Sequence, residues 1–209
     1  MIEIVKIVLG PVQTNTYLVA DTEAQQAVVI DPAWDGQEIV KVVKNRGWRL
    51  QAIWLTHAHF DHFAGVAGLL RAWDQEIPVA LHSADLPLWR THGGAGYFGL
   101  KIEPGPEPTI ALETMQQLII GSIIFQVRHA PGHTLGHVVF HCPVEKVVFC
   151  GDVIFRSAIG RTDLPGGSYT MLIKSIREQI LTLPDDTRLL SGHGVETTVG
   201  LERVENPFF

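Results

Sequence analysis

Four side chains that can bind a metal ion crowd into the stretch Leu55-Thr56-His57-Ala58-His59-Phe60-Asp61-His62. This stretch begins within the apolar run Ala52-Ile53-Trp54-Leu55, which predicts a buried strand. Residues two apart face the same way in an extended chain, so His57 and His59 can point at one site. If a helix begins at Asp61-His62, these two side chains turn toward a second point nearby. The spacing predicts two metal ions held side by side, because imidazole and carboxylate suit zinc and iron.

Three later positions share one context, a polar side chain in a glycine-containing turn after an apolar run. They are His133 in Ala130-Pro131-Gly132-His133-Thr134, Asp152 in Phe149-Cys150-Gly151-Asp152, and His193 in Ser191-Gly192-His193-Gly194. Glycine lets the backbone pass close to an ion because it carries no side chain. Together with the first cluster, these residues make a candidate ligand set for a two-metal site.

Length and composition limit the classes of protein to which this chain can belong. Its 209 residues predict one domain spanning 1–209, and the 46% of apolar residues suffice for a sizeable core. A net charge of −6 without a basic run argues against nucleic acid or an anionic membrane surface as partner. No run of about eighteen apolar residues predicts a membrane span. The first residues lack a signal-peptide pattern, so we expect a cytoplasmic protein. No feature indicates an oligomeric state.

Strand and helix patterns alternate along both halves of the chain. Strands are predicted over 4–9, 15–20, 26–31, 51–55, 79–82, 138–140, 147–149 and 189–190, with two more inside 118–127. Helices are predicted over 36–46, 63–73 and 169–181, the last capped by Ser168. Residues 91–109 are rich in glycine and proline and predict a loop beside the site. The pattern favours an α/β fold with two sheets packed face to face and helices outside.

The two cysteines, Cys142 and Cys150, fall near opposite ends of a predicted hairpin. Their spacing is not that of a C-x-x-C redox or zinc motif. Disulfides are rare in the cytosol, so we expect two buried free thiols.

The order of the motifs carries a family resemblance. H-x-H-x-D-H, then a P-G-H-T turn, then G-D, then G-H-G resembles the metallo-β-lactamase superfamily over nearly the whole chain. That resemblance implies an αββα sandwich with metals at one edge of the two sheets. It implies a first ion held by His57, His59 and His133, a second held by Asp61, His62 and His193, and a bridging Asp152.

Three further segments narrow the resemblance to short bacterial glyoxalase II proteins. They are residues 151–155 (G-D-V-I-F), 160–168 (G-R-T-D-L-P-G-G-S) and 202–208 (E-R-V-E-N-P-F). The resemblance implies a hydroxyacylglutathione hydrolase, which cleaves a thioester such as S-lactoylglutathione. Full-length glyoxalase II carries a C-terminal helical domain that helps bind glutathione, and we expect none in this chain.

The expected chemistry follows from two ions sharing one water molecule. The cofactors expected are two divalent ions, zinc first, with iron or manganese also compatible with these ligands. Zinc lowers the pKa of a bound water to about 7, so a bridging hydroxide can attack the thioester carbonyl. The leaving thiolate is intrinsically good and requires no strong general acid. Asp61 can orient the nucleophile or carry its proton as well as bind metal.

Polar residues beside the motifs predict hydrogen bonds to the ligand imidazoles. Asp31, Thr56 and Thr134 sit where such bonds would orient the rings. Among the remaining histidines, His129 and His137 are expected nearest to the site.

Substrate contacts are predicted less directly. Arg161 can pair with a substrate carboxylate in a bidentate way, or with Asp163 as a structural brace. Tyr97, Phe98 and Tyr169 are candidates for the wall of a pocket that takes a small-molecule thioester.

Other reactions are compatible with the same residues. Persulfide dioxygenases resemble this chain in fold and in the Gly160-Arg161-Thr162-Asp163 stretch, and the resemblance implies a single iron on His57, His59 or His133, and Asp152. A lactonase or β-lactamase would use the same attack on a carbonyl. A non-enzymatic electron-transfer module is disfavoured, because the flavodiiron type has glutamate where this chain has His59.

Overall fold

The computed structural model describes residues 1–209 as two mixed six-stranded sheets and a small hairpin. In the first sheet the strand order follows the chain: β1 (Ile2–Leu9), β2 (Thr14–Asp21), β3 (Gln26–Ile30), β4 (Arg49–Trp54), β5 (Val79–His82) and β6 (Ile110–Leu112). The second sheet contains β7 (Gln117–Ile120), β8 (Ile123–His129), β9 (Val138–Cys142), β10 (Val147–Gly151), β13 (Arg188–Ser191) and β14 (Thr197–Thr198), in the order 14-13-10-9-8-7. The hairpin pairs β11 (Ile154–Phe155) with β12 (Ala158–Ile159).

The first sheet changes from antiparallel to parallel pairing at β3. Strands β1 to β3 form a meander, whereas β3, β4, β5 and β6 are parallel neighbours. Parallel strands require crossover connections, and here each of the three contains helix. The helices are α1 (Gly36–Asn45) between β3 and β4, α2 (Phe60–Phe63) with α3 (Val66–Trp73) between β4 and β5, and the short α4 (Leu86–Arg90) between β5 and β6. All parallel strands therefore end at the same edge of the sheet.

The predicted helix over 63–73 begins earlier and is interrupted. Its two parts, α2 and α3, are separated at Ala64-Gly65. The backbone N–H of Gly65 donates to the carbonyl of Pro32 over 2.9 Å, and a Cβ on Gly65 would lie 2.8 Å from the same oxygen. This close approach anchors the turn after α2, the short helix that carries Asp61 and His62.

The core between the sheets is rich in aromatic side chains. Trp54 of β4 packs edge-on against Phe125 of β8, with ring centroids 5.3 Å apart. Tyr17 of β2 packs edge-on against Phe149 of β10 at 5.2 Å. The alternate residues of β2 point the other way, and Leu18 lies fully buried under the helices. Because β2 is covered on both faces, all eight of its residues are buried.

Helices cover both outer faces. α1 and α3 pack on the first sheet through Ile39, Val43 and Leu69. The second sheet is covered by α5 (Tyr169–Ser175), which continues as a π-helical turn to Ile180. Its Ser168 cap is confirmed, since Oγ accepts a hydrogen bond from the N–H of Met171. The predicted αββα sandwich is thus confirmed.

Several short elements had no predicted counterpart. They are α4 (Leu86–Arg90), a 3-10 segment over His92–Phe98 inside the predicted loop, β6, β14, the β11–β12 hairpin and α6 (Val199–Glu205). All of these run for seven residues or fewer, too short to show a clear period in the sequence. Cys142 and Cys150 are both free and buried, as expected. No helix combines the length and apolar character needed to cross a membrane.

Candidate metal centre

All seven predicted ligand side chains converge at one edge of the sandwich. His57 and His59 follow β4, Asp152 follows β10, and His193 follows β13. Each of these turns follows the carboxyl end of a parallel strand, since β10 pairs with β13 and β4 with β3, and the turns of the two sheets meet where their side chains cluster. Asp61 and His62 lie on α2, and His133 lies in the connection between β8 and β9.

Three imidazoles form the first group. One ring nitrogen from each of His57, His59 and His133 lies within 4.8 Å of the others. Nδ1 of His59 is 2.8 Å from Nε2 of His133, and the rings of His57 and His59 are perpendicular. The nitrogen atoms therefore surround a common point from different directions, as ligands of one ion would.

A second group adjoins the first. Nε2 of His193 lies 3.2 Å and Nε2 of His62 lies 3.6 Å from Oδ2 of Asp61. Asp152 lies between the groups. Its Oδ1 is 3.3 Å from Nε2 of His62, and its Oδ2 is 3.6 Å from Nε2 of both His133 and His193. One carboxylate thus faces both groups.

Unsatisfied polar atoms test whether metal ions fit this arrangement. Nε2 of His57, Nε2 of His62 and Oδ1 of Asp152 are buried and have no hydrogen-bond partner. An unpaired buried polar atom costs roughly 1–3 kcal/mol, so three at one place require an explanation. Divalent ions would use these lone pairs, and imidazole nitrogen with carboxylate oxygen is a donor set of the right chemistry. The residues present therefore fit two metal ions.

The electrostatics of the first group favour neutral imidazoles. Burial lowers the pKa of His57 well below its usual value and lowers the pKa of His59 to about 3. Burial also lowers the pKa of His133. Neutral imidazole is the form that binds a metal ion, so these rings need not lose a proton first.

The second group is more negative. Burial alone would raise the pKa of Asp61, but the imidazoles of His62 and His193 hold it at about 2. Burial alone would lower the pKa of His62, but the carboxylates of Asp152 and Asp61 raise it well above its usual value. These carboxylates attract positive charge, which a metal ion can supply in place of a proton.

Outer hydrogen bonds orient the imidazoles. The hydroxyl of Thr56 donates to Oδ2 of Asp31 over 2.7 Å, so it is free to accept from Nδ1–H of His57 at 3.0 Å. Nδ1–H of His62 donates to the same Asp31 oxygen over 2.9 Å. This network assigns the proton to Nδ1 of both rings and leaves each Nε2 lone pair facing the centre. The expected roles of Asp31 and Thr56 are confirmed, but that of Thr134 is wrong, because Thr134 donates to Asp85.

Further residues contact the ligands. Nδ1–H of His133 donates to the carbonyl of Arg161 over 2.7 Å. Nε2 of His137 accepts from the N–H of Asp152 over 3.1 Å, and its ring stacks on His57 with centroids 4.6 Å apart. His137 therefore lies at the site, whereas His129 stacks on His82 instead.

Two residues that support the site were not predicted from the sequence. Thr14 donates from Oγ1 to Oδ2 of Asp61 over 2.9 Å, and the buried Asp85 bonds to two ligand-bearing segments. Thr14 precedes Asp61 by 47 residues, and no local motif marks either position.

A cavity of about 180 Å³ opens onto the candidate ligands. Its walls include His59, Phe60, Asp61, Phe98, His133, Asp152, Arg161, Leu164, His193 and Val12. A smaller cavity of about 60 Å³ shares His59, Phe98 and Leu164, and it adds Tyr97. Tyr169 is half-exposed and lines neither cavity. A larger groove of about 1070 Å³ lies between α3 and residues 103–109, away from every candidate ligand.

Arg161 reaches the mouth of the first cavity but is paired. Its Nε and Nη2 donate to the two carboxylate oxygens of Asp163, each over 2.8 Å. Of the two partners considered for Arg161, the structure contains the pair with Asp163. The guanidinium still borders the cavity.

Comparison with known proteins places the chain in a family. The family model of the metallo-beta-lactamase superfamily matches residues 9–193. The chain is 38% identical over 206 residues to the probable metallo-hydrolase YqgX of Bacillus subtilis, covering 96% of this chain and 94% of that protein. It is 34% identical over 200 residues to the hydroxyacylglutathione hydrolase GloC of Haemophilus influenzae, covering 94% and 92%.

Solved structures agree with this assignment. The BLEG-1 B3 metallo-beta-lactamase superposes with a TM-score of 0.91 at 38% identity, covering 100% of this chain and 99% of that one. TTHA1623 in a di-iron-bound form gives 0.89 at 43% identity, covering 98% and 100%. ETHE1 from Myxococcus xanthus gives 0.79 at 25% identity, covering 98% and 83%. With its ligand-bearing turns at one edge of an αββα sandwich, the chain belongs to the metallo-β-lactamase superfamily.

Proposed function

We propose that this protein is a metal-dependent hydrolase that cleaves a small-molecule thioester of the hydroxyacylglutathione class, such as S-lactoylglutathione. The observation that carries the proposal is the convergence of five imidazoles and two carboxylates at one centre, beside a cavity that five of them line, with three buried donor atoms lacking partners. The similarity to the hydroxyacylglutathione hydrolase GloC supports the choice of a thioester.

The residues would divide between two ions. His57, His59 and His133 would hold the first, and Asp61, His62 and His193 the second, with Asp152 facing both. We propose zinc first, and iron or manganese also suit these donors. When bound, such ions supply Lewis acidity and a water of lowered pKa.

The chain's own groups would position the reactants. Hydrolysis adds water to the thioester carbonyl carbon and breaks the carbon–sulfur bond, giving a carboxylic acid and a thiol. Asp61 is ionised at neutral pH, so its carboxylate can accept a hydrogen bond from the nucleophile and orient it. Thr14 donates to Oδ2 of that carboxylate and fixes its orientation. Phe98 and Leu164 give the cavity apolar walls, against which the acyl group would pack.

The test is hydrolysis of S-lactoylglutathione, followed through loss of the thioester. Zinc-loaded wild type should turn over, and removal of metal with a chelator should abolish activity reversibly. Asp61→Asn keeps the shape of the side chain and removes its charge, so kcat/KM should fall by about 100-fold or more. His141→Gln is the control, because His141 is a buried histidine on β9 that belongs to none of the candidate ligand groups. Full activity of Asp61→Asn would refute the assignment.

Two other activities should be assayed with the same protein, β-lactam hydrolysis and persulfide oxidation. The similarity to the BLEG-1 B3 metallo-beta-lactamase makes a β-lactam the second substrate to assay. The Gly160-Arg161-Thr162-Asp163 stretch resembles that of persulfide dioxygenases. The third assay is therefore oxygen uptake with a persulfide as substrate. Preference for either over the thioester by kcat/KM would replace the proposed function, as would preference for a lactone.

A further inference from the structure

Asp85 is a buried carboxylate that joins two ligand-bearing segments of the chain. Its Oδ2 accepts from the N–H of Ala58 over 3.0 Å and from Oγ1 of Thr134 over 2.8 Å. Its Oδ1 accepts from the N–H of Gly136 over 2.6 Å. The residue is 1% exposed, so water does not compete for these bonds. Ala58 separates His57 from His59, while Thr134 directly follows His133.

Asp85 makes these contacts instead of capping the helix that begins after it. Asp85 occupies the N-cap of α4, where an aspartate usually accepts a hydrogen bond from the first turn of the helix. Its side chain makes no such bond and is turned toward the two segments instead. Gly136 permits the approach, because a Cβ there would lie 2.7 to 2.9 Å from Asp85 atoms.

We propose that Asp85 is a positioning residue, which holds the His57–His59 segment against the His133 segment and so sets the metal affinity of the three-imidazole group. The three imidazoles come from residues 76 positions apart at the extremes (133 − 57), so their geometry depends on how the two segments are held together. A carboxylate that accepts from both backbones fixes their separation directly. The inference rests on the metal centre of the proposed function but not on its substrate.

Asp21 offers a matched control. It is also 1% exposed, and its carboxylate also accepts from the backbone of another segment, through the N–H and Oγ of Ser122 at 2.9 Å each. It lies at the end of β2, whereas Thr14 at the start of that strand contacts the candidate ligand Asp61. Replacing either aspartate removes a buried bridging carboxylate, but only Asp85 touches the ligand segments.

The experiment titrates metal-free full-length protein with zinc alone, in competition with a chelator, and measures thermal unfolding in parallel. Asp85→Asn and Asp21→Asn should both lower Tm. Only Asp85→Asn should weaken one of the zinc-binding steps, by about tenfold or more. Thr134→Val removes a single donor to Asp85 and should weaken the same step by a smaller factor, and it serves if Asp85→Asn does not fold. Wild-type zinc affinity in these variants, or equal weakening in Asp21→Asn, would overturn the proposal.

Amide hydrogen exchange of the metal-free protein provides a second readout, which requires neither metal nor substrate. Peptides covering 57–62 and 131–137 should exchange faster in Asp85→Asn and should be unchanged in Asp21→Asn. Unchanged exchange in Asp85→Asn would overturn the proposal. If zinc affinity and exchange both respond while no thioester is hydrolysed, the proposed function fails and the role of Asp85 stands.

Discussion

Nδ1 of His62 lies 2.9 Å from Oδ2 of Asp31, and both side chains are buried. The same carboxylate accepts the hydroxyl of Thr56 and the N–H of Thr56. Asp31 follows β3 and has a φ of 49°, a left-handed conformation that non-glycine residues seldom adopt. The carboxylate thus directs the ring of one candidate ligand and, through Thr56, the ring of another.

Replacement of Asp31 by alanine should weaken metal binding. Without the acceptor, Nδ1–H of His62 is left unpaired and the ring is no longer held with Nε2 facing the centre. We expect zinc affinity to fall by about 10- to 100-fold, measured by chelator competition. Asp35→Asn is the control, because Asp35 is exposed and has a similar positive φ of 42°. Unchanged zinc affinity in Asp31→Ala would show that the hydrogen bond to His62 is dispensable.

Gly192→Ala should disrupt the centre by crowding. A Cβ at Gly192 would lie 2.3 Å from Oδ1 of Asp152 and 2.6 Å from Cε1 of His62. Both atoms belong to candidate ligands, so we expect zinc affinity to fall by about tenfold or more. Zinc retained after dialysis measures the effect.

Gly194→Ala is the matched change on the other side of His193. A Cβ there meets nothing within 4 Å, but the φ of +75° makes alanine strained. This variant should lose about 1–2 kcal/mol of stability and keep its zinc. Equal loss of zinc in both variants would argue against crowding as the cause.

Asp163→Asn should alter substrate preference. Exposed ion pairs are worth about 1 kcal/mol or less, so Asp163 restrains Arg161 only weakly. Releasing the guanidinium should raise kcat/KM for S-lactoylglutathione, which carries carboxylates, by up to about fivefold. A neutral thioester should show no change.

The control for this change is Glu196→Gln. It breaks a similar exposed pair with Arg188, and neither residue lines the cavity. Reduced activity of Asp163→Asn on both thioesters would identify the pair as a structural brace.

Asp21 should contribute to stability in a pH-dependent way. Hydrogen bonds from Ser122 hold the pKa of its carboxyl well below the usual range. The unfolded carboxyl titrates near pH 4, so the contribution is complete above that pH and is lost as the pH falls toward the lower folded pKa. The difference in unfolding free energy between wild type and Asp21→Asn should therefore stay constant from about pH 7 to about pH 5 and shrink as the pH falls below about 4.

Urea unfolding at several pH values measures this difference. Asp74→Asn, at an exposed position after α3, should show little difference from wild type at neutral pH. A difference for Asp21→Asn that stays constant with pH would exclude the carboxylate as its source.

Much of the fold was readable because it depends on local patterns. The strand before His57 is apolar and ends in a dense group of polar ligands, so both its burial and its direction toward the site follow from the sequence. The pattern over 63–73 predicts a helix without a break, because the break at Gly65 depends on the backbone of Pro32. No pattern within the helix records that contact.

The motifs of the chain were sufficient to predict the superfamily and the seven side chains that meet at one edge of the sandwich. Each motif is short, and the four motifs follow one another in a recognisable order. The sequence also predicted that Asp31 and Thr56 support the ligands, but only folding decided the partners of Thr134 and Asp85. Asp85 stands at the start of a helix, where an aspartate usually caps the helix, and Thr134 stands next to His133, where it could bond to an imidazole. Instead the two residues bond to each other across 49 residues. A carboxylate takes whichever donors remain unpaired when the segments pack, so its partners depend on burial and distance in three dimensions.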